Sequence, residues 1–133
     1  MEHRPQRLRA LRASLVERGF DALLVTSLPN IRYLTGFSGS NALLVVSGES
    51  APVLLTDSRY AAQVGDEVGD HARARIEPAS LWAGLRETIT MISGGSRLAL
   101  EAAHRRYEDF ERLADRAGRW DWGGAVGVVE SLR

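Results

Sequence analysis

Residues 42–56 read ALLVVSGESAPVLLT, two apolar runs joined by a short polar segment that contains a glycine. Apolar runs of this length, bounded by turn residues, are typical of β-strands. The segment between the runs, Ser47 to Ser50, has the composition of a tight connection. The stretch therefore predicts a β-hairpin in which Ala42 to Val46 pairs with Pro52 to Thr56.

The residues before this hairpin predict a helix followed by a strand. Leucines recur at helical spacing between Pro5 and Arg18, and Gly19 stands where a helix commonly ends. Ala22 to Thr26 (ALLVT) is a short continuous apolar run, which is typical of a central strand.

Beyond the hairpin, Asp57 is placed to cap a helix over Ser58 to Val64, with Gly65 as its end. Four more elements are predicted downstream: a thin strand at His71 to Ile76, a helix at Leu81 to Ile92, a strand at Arg97 to Leu100 and a helix at Arg105 to Ala117. Trp120 and Trp122 then share one face of a short strand. Because strands and helices mostly alternate, the 133 residues predict a single α/β layered domain with a mixed sheet.

The composition excludes several classes of function. Seventeen basic and seventeen acidic residues cancel, so no excess of positive charge predicts binding to nucleic acid or to an anionic membrane. All of the basic residues are arginines, and there is no cysteine, which excludes lysine-based catalysts, thiol nucleophiles, thiolate metal sites and disulfides. No run is long enough to span a membrane. We therefore expect a soluble, cytoplasmic protein.

No set of residues in the sequence has the pattern of a catalytic or metal site. The three histidines, His3, His71 and His104, are far apart, and the acidic residues before His71 have the pattern of a solvated loop. Glu101 and His104 have the Glu-x-x-His spacing that is found in di-iron proteins. Such a metal site needs two of these motifs on a four-helix bundle, and the sequence has only one. The segment Gly36 to Ser40 lacks the order of a nucleophile elbow, because its second glycine comes one residue early and a strand follows it. Two interpretations of the segment Gly36 to Ser40 remain: a plain surface turn and a loop that faces a ligand.

Two segments carry a family resemblance. The segment NIRYLTGFSGSN, from Asn30 to Asn41, and the segment LTDSRYAAQ, from Leu55 to Gln63, flank the predicted hairpin. This ordered pair resembles the N-terminal domain shared by prolidases, Xaa-Pro aminopeptidases and creatinase. The segments Gly19 to Ala22 and Val128 to Arg133 fit the same pattern, so the resemblance covers almost the whole chain. Ser58 stands where family members often carry glycine, a mild departure.

The resemblance implies an RNase H-like three-layer α/β domain with a mixed sheet of about six strands, spanning residues 1–133. It also implies that the catalytic pita-bread domain lies outside this chain. That domain would hold two divalent metal ions (Mn, Co or Zn), so no cofactor is expected in this one. The expected partners are this chain's own catalytic domain, further copies in a homo-oligomer such as a dimer, and a proline-containing peptide substrate.

The resemblance also implies a loop that borders the substrate, formed by Asn30, Arg32, Phe37, Ser38, Ser40 and Asn41. The flanking glycines predict that this loop turns the Phe37 ring outward, to line an apolar site. Asn30 and Arg32 could add polar contacts to a peptide. Asp57, Arg59 and Tyr60 are expected to be structural, through a helix cap and a local ion pair.

The function that follows is that of a non-catalytic domain of a proline-directed metallo-exopeptidase, which shapes substrate access and oligomer contacts. Two alternatives remain: a peptidase-like protein-binding module without catalysis, and the N-terminal domain of a creatinase-like amidinohydrolase. The segment Phe37 to Asn41 contains no arginine to bind a small carboxylate, which weighs against the last.

Overall fold

The computed structural model describes residues 2–48, 50–91, 97–101, 121–124 and 127–133. Four helices and six strands lie in this part of the chain. In chain order they are α1 (Arg4–Arg18), β1 (Ala22–Val25), α2 (Leu28–Thr35), β2 (Ala42–Ser47), β3 (Val53–Asp57), α3 (Ala61–Val68), β4 (Arg73–Glu77), α4 (Leu81–Met91), β5 (Arg97–Leu100) and β6 (Asp121–Gly124). Short 3-10 turns cover Ser58–Tyr60, Gly69–His71 and Glu130–Leu132.

The six strands form one mixed sheet in the order β4-β3-β2-β1-β5-β6. β2 pairs antiparallel with both β1 and β3, and Ala42 stands opposite Thr56, so the predicted hairpin is confirmed. The outer pairs, β3 with β4, β1 with β5 and β5 with β6, are parallel. The α/β class with a mixed sheet is confirmed.

Helices cover both faces of this sheet, which gives three layers. Alternate residues of β1 point to opposite sides, so Leu23 packs with α1, α2 and α3, while Leu24 packs with α4. Both sets of side chains are buried, which explains why β1 and β2 are apolar at nearly every position. Within the described residues, no helix has the length and apolar character needed to cross a membrane.

The largest departures from the predicted elements are an additional helix and a longer one. The stretch between β1 and β2, for which no helix is predicted, contains α2. Its cap residue is Ser27, whose hydroxyl accepts a hydrogen bond from the Asn30 backbone amide, and the helix ends at Gly36. Gly65 does not end α3, because the helix continues to Val68 and places that side chain in the core. The predicted helix at Arg105 to Ala117, together with Ile92 and Trp120, lies outside the described residues.

Candidate functional site

The two segments that carry the resemblance meet in space. α2 ends at Gly36, whose φ of 87° is a left-handed conformation that suits glycine. The chain then bends through residues 36–41, here called the Gly36–Asn41 turn, before it enters β2. This turn lies against the residues that follow β3, namely the 3-10 turn Ser58–Tyr60 and the helix α3.

Glu67 on α3 holds the middle of the turn. Its carboxylate accepts hydrogen bonds from the Ser38 amide (3.0 Å) and from the Ser38 hydroxyl (2.6 Å). Gln63, one helical turn earlier, donates to the Ser38 hydroxyl oxygen (3.1 Å) and to Glu67 itself (3.0 Å). These bonds lower the pKa of the Glu67 carboxyl, those from Ser38 most, with a smaller effect from the positive charge of Arg32. Ser38 is thereby fixed by an ionised carboxylate.

Tyr60 holds the far side of the turn. Its hydroxyl oxygen accepts a hydrogen bond from the Ser40 amide (3.2 Å) and lies 2.5 Å from the Ser40 hydroxyl. The Ser40 side chain is the main cause of a lowered pKa for the Tyr60 hydroxyl. The Arg59 guanidinium lies over the Tyr60 ring, 5.2 Å from its centroid.

Asp57 connects the end of the turn to the start of the next helix. Its carboxylate accepts a hydrogen bond from the Asn41 side-chain amide (2.7 Å) and from the Arg59 backbone amide (3.0 Å), and so caps the 3-10 turn. Arg59 also donates to both carboxylate oxygens through its side chain, each at 2.8 Å. Arg59 and then Asn41 hold the pKa of Asp57 well below its usual range.

Phe37 lies beneath the turn, so the prediction that its ring faces outward is wrong. The side chain is 1% exposed and meets the Tyr60 ring edge to face at 5.5 Å. Gly39 makes this possible, because a Cβ at that position would lie 2.3 Å from the Phe37 ring. The glycine therefore gives room for the ring to fold inward.

Asn30 is also buried, so the peptide contact expected of it is corrected. It is 1% exposed, and its Nδ2 donates to Glu101 (2.7 Å) and to Glu130. The Glu101 carboxylate also accepts hydrogen bonds from the backbone amides of Thr26 (2.7 Å) and Ser27 (3.0 Å). This role of Glu101 was not predicted from the sequence. Its position directly after β5 was a usable signal, because the carboxyl ends of the parallel strands β1 and β5 meet at one edge of the sheet.

The predicted loop residues that remain accessible are here called the polar rim: Ser38, Ser40 and Asn41 on the turn, and Arg32 on α2, whose charge acts on Glu67. Arg32, Ser38 and Ser40 are exposed and Asn41 is half-buried. Hydroxyls, an amide and a guanidinium can bind and orient a peptide through hydrogen bonds. Across the described part of the chain, no three His, Cys, Asp or Glu side chains converge in a way that could hold a metal ion.

A family model described as the Creatinase/Prolidase N-terminal domain matches residues 7–133. The chain belongs to this family. The resemblance inferred from Asn30 to Asn41 and from Leu55 to Gln63 is thus confirmed. In this family member, the two segments form a single hydrogen-bonded unit.

Known relatives of this creatinase/prolidase-type domain include peptidases. The chain is 40% identical over 76 residues to the uncharacterized peptidase YqhT of Bacillus subtilis, a match that covers 53% of this chain and 21% of that protein. The N-terminal domain of the cytoplasmic peptidase PepQ from Mycobacterium tuberculosis superposes with a TM-score of 0.86 at 34% identity, covering 96% of this chain and 98% of that one. The Xaa-Pro aminopeptidase structure from Streptococcus thermophilus superposes with a TM-score of 0.84 at 26% identity, and the match covers 99% of this chain and 99% of that one.

Proposed function

We propose that this domain is the non-catalytic N-terminal part of a proline-directed metallo-exopeptidase, either an Xaa-Pro aminopeptidase or an Xaa-Pro dipeptidase. The family membership and the Xaa-Pro aminopeptidase named above support the reaction class. The chain spans about a fifth of the length of its curated relative. A further domain with two divalent metal ions would perform the hydrolysis.

The observation that carries the proposal is the polar rim, formed by Arg32 on α2 and by the Gly36–Asn41 turn that follows it. Ser38 and Ser40 are each held through both the backbone amide and the hydroxyl, yet both remain exposed. A surface fixed this way can orient a substrate without taking part in proton transfer. In the proposed role it forms one wall of the substrate site, in the same subunit or in a neighbouring copy of a homo-oligomer.

The remaining parts of the proposal follow from the same assignment. The substrate is a peptide with proline in the second position, and the partners are the domain's own catalytic domain and further copies of the protein. We place the protein in the cytoplasm, which is supported by the relative that is named a cytoplasmic peptidase. Nucleic acid and membrane are not partners in this proposal.

The test is an assay of the longer protein on Xaa-Pro dipeptides and Xaa-Pro-containing tripeptides with Mn, Co or Zn. We expect Arg32→Ala to lower kcat/KM by about ten- to a hundredfold, the scale of one lost positioning contact. Metal content should not change, because no predicted ligand is altered. The 133-residue chain alone should show no turnover.

Arg73→Ala is the matched control. Arg73 is also exposed, but it pairs with Val53 at the start of β3, whereas the turn lies near Asp57 at the end of β3. Its loss should leave kcat/KM unchanged. Equal effects of the two variants would contradict the assignment of the wall, and no hydrolysis of any Xaa-Pro peptide by the longer protein would contradict the proposed function itself.

A further inference from the structure

The last described segment, residues 127–133, is anchored on the domain rather than projecting from it. Val128 and Val129 are 1% and 0% exposed and belong to the core between the sheet and the first three helices. Glu130–Leu132 then forms a 3-10 turn, in which the Leu132 amide donates to the Val129 carbonyl (3.0 Å).

One face of α2 makes directional contacts with this segment. Asn30 donates to the Glu130 carboxylate, and the Tyr33 hydroxyl donates to the Leu132 carbonyl (3.0 Å). Asn30 and Tyr33 are three residues apart, so they lie on the same side of the helix. Apolar packing of the two valines is not directional, whereas these hydrogen bonds define where the segment points.

Both α2 residues are themselves held in place. Besides its bond to Glu130, the Asn30 side-chain amide donates a second hydrogen bond, to the Glu101 carboxylate (2.7 Å). The Arg7 guanidinium lies 4.3 Å from the centroid of the Tyr33 ring and donates to the Tyr33 carbonyl (2.9 Å). The contacts to residues 127–133 therefore start from side chains with little freedom to move.

The same helix leads directly into the Gly36–Asn41 turn at its C-terminal end. α2 has eight residues, which at about 1.5 Å of rise per residue is roughly 12 Å. We propose that Asn30 and Tyr33 are positioning residues that fix residues 127–133 to the helix bearing the turn. A domain that follows Arg133 is thereby held at a fixed orientation to the polar rim. This inference rests on the proposed function for the existence of that domain.

The first test measures amide hydrogen exchange in the 133-residue chain. The double variant Tyr33→Phe/Glu130→Ala removes both contacts while it keeps the Tyr33 ring and the bond from Asn30 to Glu101. We expect exchange at Ser131, Leu132 and Arg133 to rise about fivefold for each lost hydrogen bond. β1 amides should not change.

Glu87→Gln is the control, because it weakens one exposed ion pair, to Arg75, on the opposite face of the sheet. If the double variant and this control give the same exchange at residues 131–133, the inference is wrong. If the double variant loses its fold, Tyr33→Phe alone, which removes a single hydroxyl, decides the question by the same measurement.

The second test uses the longer protein, with one spin label on Val16→Cys and another on the surface of the following domain. Val16 is 78% exposed, and this chain has no cysteine of its own. We expect the distance distribution between the labels to broaden in Tyr33→Phe/Glu130→Ala and to remain narrow in Glu87→Gln. An unchanged distribution in the double variant would overturn the positioning role. The distances do not depend on turnover, so this failure is distinct from a failure of the wild-type protein to cleave Xaa-Pro peptides.

Discussion

Phe37 is a buried residue that supports the Gly36–Asn41 turn through its packing and not through exposed polar groups. The ring is buried against Tyr60, whose hydroxyl holds Ser40. The absence of a side chain at Gly39 lets the ring occupy that space. Phe37 thus supports the polar rim from the interior and does not itself form part of the exposed surface.

We expect Phe37→Ala to lower the free energy of unfolding by about 3–5 kcal/mol, as is usual when a large buried ring is removed. Chemical denaturation of the 133-residue chain measures this loss. Phe20→Ala serves as the matched control and should cost less, because Phe20 is only half-buried. A loss below about 1 kcal/mol for Phe37→Ala would mean that the ring is not in the core in solution.

Among the elements, the contact between the Gly36–Asn41 turn and α3 depends on charge. Glu67 accepts from Ser38 and Gln63, and its pKa is lowered by those bonds. A carboxyl whose pKa is lower in the folded than in the unfolded state stabilises the fold when it is ionised. The stabilisation is complete above the unfolded pKa of about 4.3 and is lost as the pH falls through the lowered, folded value.

Wild type should therefore be more stable than Glu67→Gln at pH 7, and the difference should shrink as the pH is lowered toward 3. Denaturation midpoints measured across this range test the prediction. Asp66→Asn is the control. Asp66 is a neighbouring exposed carboxylate, but the carboxylate that holds Ser38 is that of Glu67. A difference between wild type and Glu67→Gln that stays constant with pH would show that the charge of Glu67 does not hold the turn.

At the scale of the whole molecule, the exposed apolar side chains indicate how strongly the 133-residue chain associates. Three large apolar side chains are exposed in the described residues, Val16, Ile76 and Met91, and they lie on three different elements. Exposed apolar residues in such numbers are ordinary on monomeric proteins. Nothing in this set indicates an obligate interface.

We expect the 133-residue chain to be a monomer or a weak dimer. Sedimentation over about a hundredfold range of concentration measures the association, and Met91→Ser tests whether that exposed side chain contributes. A tight tetramer formed by this chain alone would contradict this expectation.

The sequence predicted the elements whose signals are local. The apolar runs of β1, β2, β3 and β5 were found nearly residue by residue, because both faces of the sheet are buried. α2 was not predicted, because it is only eight residues long and is followed at once by Gly36 and Gly39, which indicate a turn. The direction of the Phe37 ring depends on tertiary contacts that no local pattern encodes. The pairing of Asn30 with Glu101, 71 residues away, could be predicted only by combining the position of Glu101 after β5 with the parallel pairing of β1 and β5.

The order of the strands has a consequence for synthesis on the ribosome. β1 meets β2 soon after both emerge, but its other edge stays open until β5 is made, when Leu23 pairs with Ala99. Until then the nascent chain presents an apolar strand with unsatisfied backbone groups, the kind of edge that recruits other chains into aggregates. Translation of the stretch between β2 and β5 is therefore a stage at which the open edge of β1 can pair with another chain.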